Sequence, residues 1–225
     1  MPTIVAVSIL DADQGSLAEA VERVERAGGD RIHLDVMDAH FVPNLTWGPK
    51  TIAALRRHTA LPFDAHLMID EPGRWLDEYL EAGCDSVTVH VEVAEDVGAT
   101  LTRIRAAGRR AGLALRPRTP LSALEPYREL LDNVMVMTVE PGFGGQRFMA
   151  DVAAAKLPAA RGYLADAAAG EVHDDGGVNR ATAATAAGHG AGVLVVGSAL
   201  WTAGADMADE IRAIRQLVDA GPGPA

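Results

Sequence analysis

The residues best suited to chemistry are acidic and imidazole side chains that alternate along two short apolar segments. The first segment runs from Ile32 to Asp38 and places His33 and Asp35 two positions apart. The second contains Asp64 and His66 at the same spacing. Residues two apart share a face of a β-strand, so each segment is predicted to present an imidazole and a carboxylate on one side.

A third acidic group, Asp174 and Asp175, ends a later apolar segment just before Gly176 and Gly177. Imidazoles and carboxylates that converge from three strands would form a mixed nitrogen and oxygen site suited to Zn²⁺, Mn²⁺, Fe²⁺ or Co²⁺. A hydrogen-bonded cluster without metal satisfies the same spacing, because interior polar groups are costly only when they lack a partner. Spacing alone leaves both alternatives open.

Glycine-rich loops are the second chemical feature. They follow three successive apolar segments in the later part of the chain: Pro141 to Gln146, Gly176-Gly177 and Gly197-Ser198. Backbone amides freed by glycine can approach an oxyanion closely, and barrel enzymes often hold phosphate between their last loops. A single glycine more often serves a tight turn, but three such loops in succession predict a phosphate site.

Short β-branched segments alternate with helical patterns, which predicts parallel βαβ units and an α/β fold of the (β/α)₈ barrel type. The predicted strands are Ile4 to Leu10, Arg31 to Met37, Pro62 to Met68, Ser86 to Val91, Ala111 to Arg116, Val134 to Val139, Glu171 to Asp174 and Gly192 to Val196. Leu17 to Ala27 and Arg74 to Ala82 are predicted helices. Several helices are expected to end in a left-handed glycine: Gly28, Gly83, Gly108 and Gly188.

Length and composition limit the alternatives. The 225 residues, 48% of them hydrophobic, fit one barrel domain over residues 1–219, followed by a disordered tail over residues 220–225 that offers nothing to bury. A net charge of −11 argues against a nucleic acid or anionic membrane partner. No apolar run approaches the roughly 20 residues of a membrane span. The single cysteine, Cys84, excludes an intramolecular disulfide, and we expect a cytoplasmic protein.

Six motifs, in unbroken order from about residue 4 to residue 201, closely resemble the ribulose-phosphate 3-epimerase family. They are Ser8-Ile9-Leu10, HLDVMDAHFVPNLTWGP (33–49), DAHLMI (64–69), MTVEPGFGGQRF (137–148), DGGVN (175–179) and VVGSALW (195–201). The resemblance implies a TIM barrel of the ribulose-phosphate-binding type. It also implies a homo-oligomeric isomerase of the pentose phosphate pathway that interconverts D-ribulose 5-phosphate and D-xylulose 5-phosphate with one divalent metal ion per chain.

The resemblance further assigns roles to individual residues. The metal ligands would be His33, Asp35, His66 and Asp175, and Asp35 and Asp175 would also be the acid/base pair. The substrate-binding residues would be Ser8, His66, Gly142, Phe143, Gly144, Gly145, Gly176, Gly177, Gly197 and Ser198. Met37, Met68 and Met137 would cover the reaction site, although periodicity alone favours ordinary barrel core for them.

Four positions depart from the usual pattern of that family. Arg116 and Glu140 each stand where asparagine is usual, and Ala39 stands where glycine is usual. Asp174, preceded by His173, takes a position that is commonly apolar. Arg116 and Glu140 would end adjacent strands, so they either form an ion pair that replaces two amides or face the substrate and alter specificity.

Other functions are consistent with parts of the sequence. The same chemistry could act on a hexulose 6-phosphate or another modified sugar phosphate. A non-catalytic phosphosugar-binding barrel would keep the glycine loops but lose an acid/base or metal group, and a metal-free decarboxylase would not need the imidazoles. Because His33, Asp35, His66 and Asp175 are all present, the sequence favours an epimerase of a phosphorylated ketose.

Overall fold

A computed structural model describes residues 3–166, 168–202 and 206–221. Its parallel strands close in chain order into a single barrel, which confirms the predicted (β/α)₈ fold. The strands are β1 (Ile4–Ser8), β2 (Arg31–Met37), β3 (Phe63–Met68), β4 (Ser86–His90), β5 (Arg110–Leu115), β6 (Asn133–Met137), β7 (Glu171–Asp175) and β8 (Val193–Val196).

Helical segments surround the barrel. They are α1 (Leu17–Arg26), α2 (Pro49–Arg56), α3 (Pro72–Glu81), α4 (Val97–Ala106), α5 (Ala150–Ala160), α6 (Ala183–Gly188), α7 (Ser198–Trp201) and α8 (Met207–Ala220). Between β5 and β6 the chain forms a 3₁₀ helix, Leu121–Leu130, which contains Pro126. Proline has no backbone N–H to donate, which disfavours a regular α-helix there. Within the described residues, every helix is too short or too polar to cross a lipid bilayer.

Strand alternation separates an apolar outer face from a polar inner face. Leu34 and Val36 of β2 are buried in the core shared with the helices, as the sequence pattern predicts. In the register of β2 with β3, Asp35 lies beside His66 and Met37 beside Met68. The two polar motifs therefore face the barrel interior at the same height.

Three of the four predicted helix ends are confirmed, and one is wrong. Gly28, Gly83 and Gly108 have φ values of 82°, 95° and 71°, the left-handed conformation that closes a helix. Gly188 instead is the last residue of α6. His189, the residue after it, is still right-handed, and the left-handed turn before β8 is made by Gly190, with φ of 108°.

The end of the domain lies slightly later than predicted. Helix α8 continues to Ala220, so this residue belongs to a helix rather than to the expected tail. Its apolar side chains Met207, Ile211 and Ile214 are buried against the rest of the barrel. Residues 222–225 lie outside the described residues, so disorder of the tail stays a prediction.

A strained turn follows β2. Ala39 has φ of 62° and is the one non-glycine residue with positive φ in the described part of the chain. Its N–H donates to the carbonyl of Asn44 at 2.9 Å, which holds the turn closed. A side chain in the left-handed region is strained because its Cβ approaches the following carbonyl oxygen.

We predict that Ala39→Gly raises the free energy of unfolding by up to about 1 kcal/mol, because glycine relieves that strain. The matched control is Ala154→Gly in the exposed interior of α5, which should lower the free energy by about 0.5 to 1 kcal/mol. Denaturant unfolding of both variants and the parent measures the two effects. Equal destabilisation by the two changes would show that the turn is not strained.

Candidate active site and metal centre

Four side chains from β2, β3 and β7 converge inside the barrel at the carboxyl ends of the strands. One ligand atom from each of His33, Asp35, His66 and Asp175 lies within 4.8 Å of the others. His33 Nε2 is 3.6 Å from Asp35 Oδ1 and 3.7 Å from Asp175 Oδ2. His66 Nδ1 is 3.6 Å from Asp35 Oδ1 and 3.2 Å from Asp175 Oδ2. Ligands of a tetrahedral zinc ion lie roughly 3.3 to 3.6 Å apart, so the spacing suits such an ion.

Unpartnered atoms indicate that the cluster fits a metal. His33 Nε2, His66 Nδ1 and Asp175 Oδ2 are buried and have no hydrogen-bond partner. Leaving a buried donor or acceptor unpaired is costly, and here all three atoms point at one another. A cation between them would satisfy all three at once. Imidazole and carboxylate donors suit a divalent transition metal.

The other nitrogen of each imidazole has a hydrogen-bond partner on the side away from the cluster. His33 Nδ1 lies 3.0 Å from Asp64 Oδ2. His66 Nε2 lies 2.8 Å from His90 Nε2, and His90 Nδ1 lies 2.9 Å from Glu92 Oε2. Such outer contacts orient imidazole ligands and select which ring nitrogen carries the proton.

The sequence analysis did not identify His90 or Glu92. The alternation argument that located His33 and His66 applies equally to β4, where Ser86, Thr88 and His90 occupy alternate positions. All three are buried, although they are polar. That pattern of polar residues along a buried strand was the available signal for His90.

Opposing charges shift the pKa values of the cluster. Burial alone would lower the pKa of His33, but Asp35 and Asp64 outweigh it and raise that pKa well above its ordinary value. Burial is similarly outweighed at His66, where Asp175 and Asp35 raise the pKa. Burial would raise the pKa of Asp35, yet His33 and His66 hold it below its usual range. Without metal, the two imidazoles therefore keep their second proton to a higher pH than an isolated histidine does.

Both aspartates reach the cavity above the imidazoles. Asp35 is 6% exposed and Asp175 is 9% exposed, whereas His33 is completely buried. Ser8 Oγ donates to Asp35 Oδ2 at 2.6 Å. Trp201 Nε1 in turn donates to the carbonyl of Ser8 at 2.7 Å, which ties α7 to β1. One oxygen of Asp35 is thus oriented by Ser8 while the other faces the cluster.

A cavity opens above these aspartates. Its walls contain nine of the ten predicted substrate-binding residues and the three methionines: Ser8, Gly142, Phe143, Gly144, Gly145, Gly176, Gly177, Gly197, Ser198, Met37, Met68 and Met137. The tenth, His66, lies beneath the floor with no exposed surface. The site residues predicted by resemblance are thus brought together, and their roles stay predictions.

Asp11 is a cavity residue that the sequence analysis missed. It lines the same wall as the glycine loops. Its carboxylate packs so closely on Gly144 that a Cβ there would overlap it, and a Cβ on Gly197 would lie 3.6 Å from Asp11 Oδ2. Burial, followed by repulsion from Asp35, raises the pKa of Asp11. An acidic group therefore stands beside the predicted phosphate loops.

Arg116 and Glu140 do not form the ion pair considered as one alternative. Both residues are described, and no salt bridge joins them. Arg116 instead donates to the carbonyl of Phe41 at 2.8 Å, with its guanidinium carbon 4.4 Å from the centre of the Phe41 ring. The Glu140 side chain is exposed. Neither residue lines the cavity, so an effect of the pair on specificity stays a prediction.

Asp174 lies on the opposite face of β7 from Asp175 and does not line the cavity. Thr138 Oγ1 donates to Asp174 Oδ1 at 2.7 Å. Burial outweighs this hydrogen bond and, with Asp175 nearby, raises the pKa of Asp174 to about 8. His173, which faces inward, is completely buried, and its Nε2 lies 3.2 Å from Glu171 Oε2. The two departures from the usual pattern therefore belong to the body of the barrel.

Comparison with known proteins agrees with this geometry. The profile of the Ribulose-phosphate 3 epimerase family matches residues 4–201, the span over which the sequence motifs run. The chain belongs to the ribulose-phosphate 3-epimerase family. The ribulose-phosphate 3-epimerase of Rhodobacter capsulatus is 42% identical over 207 residues, covering 92% of this chain and 90% of the relative. The enzyme of Mycobacterium bovis is 44% identical over 224 residues, covering 96% and 93%.

Solved structures outside the ribulose-phosphate 3-epimerase family share the fold. The 3-hexulose-6-phosphate synthase of Salmonella typhimurium is 21% identical, with a TM-score of 0.72, covering 99% of this chain and 100% of that one. The 3-keto-L-gulonate-6-phosphate decarboxylase of Vibrio cholerae O1 is 16% identical, with a TM-score of 0.72, covering 97% and 98%. At these identities the similarity concerns the barrel alone.

We predict that the protein binds about one transition-metal ion per chain and releases protons when it does so at pH 7. The pKa values of His33 and His66 are raised in the metal-free protein, so metal and protons compete for the same nitrogens. Apparent affinity should consequently fall as the pH falls. Calorimetry in two buffers of different ionisation enthalpy measures the protons released. Binding without proton release at pH 7 would contradict the charge state of the cluster.

Proposed function

We propose that this chain is a metal-dependent 3-epimerase that interconverts D-ribulose 5-phosphate and D-xylulose 5-phosphate. The observation that carries the proposal is the cluster of His33, Asp35, His66 and Asp175 at the floor of a cavity walled by glycine loops. The two relatives compared above bear the name of this activity and align over at least 90% of their own length.

Epimerisation at carbon 3 requires removal of a proton next to the carbonyl and return of a proton to the opposite face. Two acid/base groups on opposite sides of the substrate plane are therefore needed. Asp35 on β2 and Asp175 on β7 project into the same cavity from well-separated strands. One would take the proton from carbon 3 while the other supplies one, and the roles would exchange in the reverse reaction.

The interior side chains would hold the metal. His33, Asp35, His66 and Asp175 supply two nitrogen and two oxygen donors, which suits Zn²⁺, Mn²⁺, Fe²⁺ or Co²⁺. When bound, the ion would act as a Lewis acid that offsets the negative charge of the enediolate. Asp64 and His90 would keep the two ligand imidazoles in position from behind.

The remaining walls would bind and protect the substrate. Met37, Met68 and Met137 line the cavity close to both aspartates and would exclude water from the reacting carbons. The loops after β6, β7 and β8 would receive the phosphate through backbone amides. Gly176 and Gly177 are required in that wall, because a Cβ on either would collide with the backbone of Val139 or Phe148.

Cellular context and assembly are also proposed. A chain of this activity, with a net charge of −11, fits the cytoplasm and the pentose phosphate pathway. The family relationship supports a homo-oligomer. A hexulose 6-phosphate is the alternative substrate, but Arg116 and Glu140, the charged residues that suggested it, do not line the cavity.

Solvent-deuterium exchange tests the proposed reaction. The protein is loaded with Co²⁺ or Zn²⁺ and incubated in D₂O with a panel of pentulose 5-phosphates and hexulose 6-phosphates. We expect deuterium at carbon 3 of ribulose 5-phosphate, together with formation of xylulose 5-phosphate, and a much lower rate on the hexuloses. Exchange confined to a hexulose phosphate would establish the alternative substrate.

We predict that Asp175→Asn lowers kcat on ribulose 5-phosphate by at least about 100-fold, because an amide cannot exchange the proton. The matched control is Asp174→Asn, the same change on the opposite face of β7, which should leave kcat within a few-fold of the parent. Circular dichroism and metal content establish that both variants are folded and loaded. A similar loss in both variants would place the effect in the fold of β7.

We predict that Asp11→Asn lowers the KM for ribulose 5-phosphate about fivefold, because a carboxylate roughly 4 Å from a phosphate costs about 1 kcal/mol at high dielectric. Asp13→Asn, the same charge change on the same loop outside the cavity wall, is the control. The inhibition constant of inorganic phosphate should fall in parallel for the first variant alone. If the two variants had the same KM and the same inhibition constant, the phosphate would bind away from Asp11.

A further inference from the structure

The two imidazoles of the cluster face it through different ring nitrogens. His33 directs Nε2 and His66 directs Nδ1 toward Asp35 and Asp175. A ring nitrogen binds metal only through its lone pair, so it must give up its proton. His66 must therefore carry the proton of its neutral form on Nε2, the nitrogen that faces away from the cluster.

Only one arrangement of protons on neutral His66 and His90 gives every hydrogen bond behind His66 a donor and an acceptor. His66 Nε2 and His90 Nε2 are 2.8 Å apart, so one nitrogen donates and the other accepts. If His66 donates, His90 accepts and keeps its own proton on Nδ1. That proton then points at Glu92 Oε2, 2.9 Å away, and a carboxylate can only accept. Both imidazoles are completely buried, so neither ring is open to bulk water.

The opposite arrangement of protons is unfavourable both at the contact of His90 with Glu92 and at His66. A proton on His90 Nε2 would leave the lone pair of His90 Nδ1 against the Glu92 carboxylate. It would also force the proton of neutral His66 onto Nδ1, among the ligand atoms. Glu92 Oε1 already accepts the backbone N–H of Arg116 at 2.8 Å, so both of its oxygens act as acceptors.

We propose that Glu92, acting through His90, fixes the proton of His66 on Nε2 and so makes Nδ1 the metal-binding atom. Glu92 and His90 are positioning residues in this account, since neither touches the cavity that would hold the substrate. The inference rests on the proposed metal site and extends it. It gives one ligand imidazole a half-buried carboxylate partner that acts through a second imidazole, His90.

Glu92→Gln is the sharpest perturbation, because it changes one acceptor oxygen into a donor with almost no change in shape. If the new amide oxygen accepts from Arg116, its NH₂ group faces His90 Nδ1 and reverses the proton order through His90 to His66. If the oxygen accepts from His90, the NH₂ group faces the N–H of Arg116. The first orientation thus moves the His66 proton onto Nδ1, among the ligand atoms, and the second places two donors against each other, so the proton order is disrupted in both.

Glu95→Gln is the matched control on the same loop. Glu95 Oε1 accepts both the backbone N–H of Gly73 at 2.7 Å and Thr100 Oγ1 at 2.9 Å. A glutamine oxygen can keep both bonds, so this variant undergoes the same chemical change without a donor conflict. Comparison of the two variants distinguishes an effect of the proton order on metal affinity from an effect of losing one negative charge.

Metal affinity is the first measurement. Zn²⁺ binding to the parent, Glu92→Gln and Glu95→Gln is determined by competition with a chromophoric chelator, with circular dichroism as the check on folding. We expect Glu92→Gln to bind about 10- to 100-fold more weakly, the usual effect of losing such an outer partner, and Glu95→Gln to match the parent. Equal affinity in all three proteins would overturn the inference.

The tautomer of His90 in the unmodified protein is the second measurement, and it does not depend on a variant that folds. Two-bond ¹H–¹⁵N spectra of histidine-labelled, metal-free protein, recorded at a pH high enough for His66 to be neutral, should show His90 with its proton on Nδ1. A proton on His90 Nε2 would overturn the inference whether or not the protein binds metal. Failure of the parent to bind Zn²⁺, with His90 protonated on Nδ1, would instead contradict the metal site under the proposed function.

Discussion

The whole arrangement depends on one constraint: two imidazoles buried inside a barrel must find partners for both of their nitrogens. His33 and His66 each have one nitrogen held from behind and one left without a partner. The free nitrogens meet Asp35 and Asp175, whose carboxylates would be expensive to bury alone. The polar interior is therefore stable as a unit, and a divalent cation would complete it.

Barrel geometry converts this constraint into a site. The register that places Asp35 of β2 beside His66 of β3 brings a carboxylate and an imidazole to the same height. Closure of the sheet then brings β7, and with it Asp175, to the same end of the barrel as β2 and β3. The aspartates keep a small exposed surface while the imidazoles have none. Acid/base groups thus face the substrate, and the purely ligating groups lie beneath them.

Period-two alternation and glycine placement predicted the fold, the inner face of β2 and β3, and the glycine loops of the cavity wall, because each is a local property of the chain. Ser8 and the three methionines were assigned to the site only by the family resemblance. The contacts of Arg116 and Asp11 could not be predicted in that way. Arg116 turns to Phe41, 75 positions away, and Asp11 packs on Gly144, 133 positions away. The contact between His66 and His90 could have been predicted from alternation along β4, but the series Ser86, Thr88 and His90 is a weaker signal than the repeated His/Asp pattern of β2 and β3.

The central claim is that two imidazoles and two carboxylates inside the barrel bind one metal ion. X-ray absorption at the zinc edge, recorded on protein loaded with one equivalent of Zn²⁺, tests it directly. We expect two imidazole nitrogens with their characteristic outer-ring scattering, together with carboxylate oxygens, at about 2.0 to 2.2 Å. A first shell of oxygen alone, or a spectrum unchanged by replacing His33 and His66 with alanine, would contradict the account.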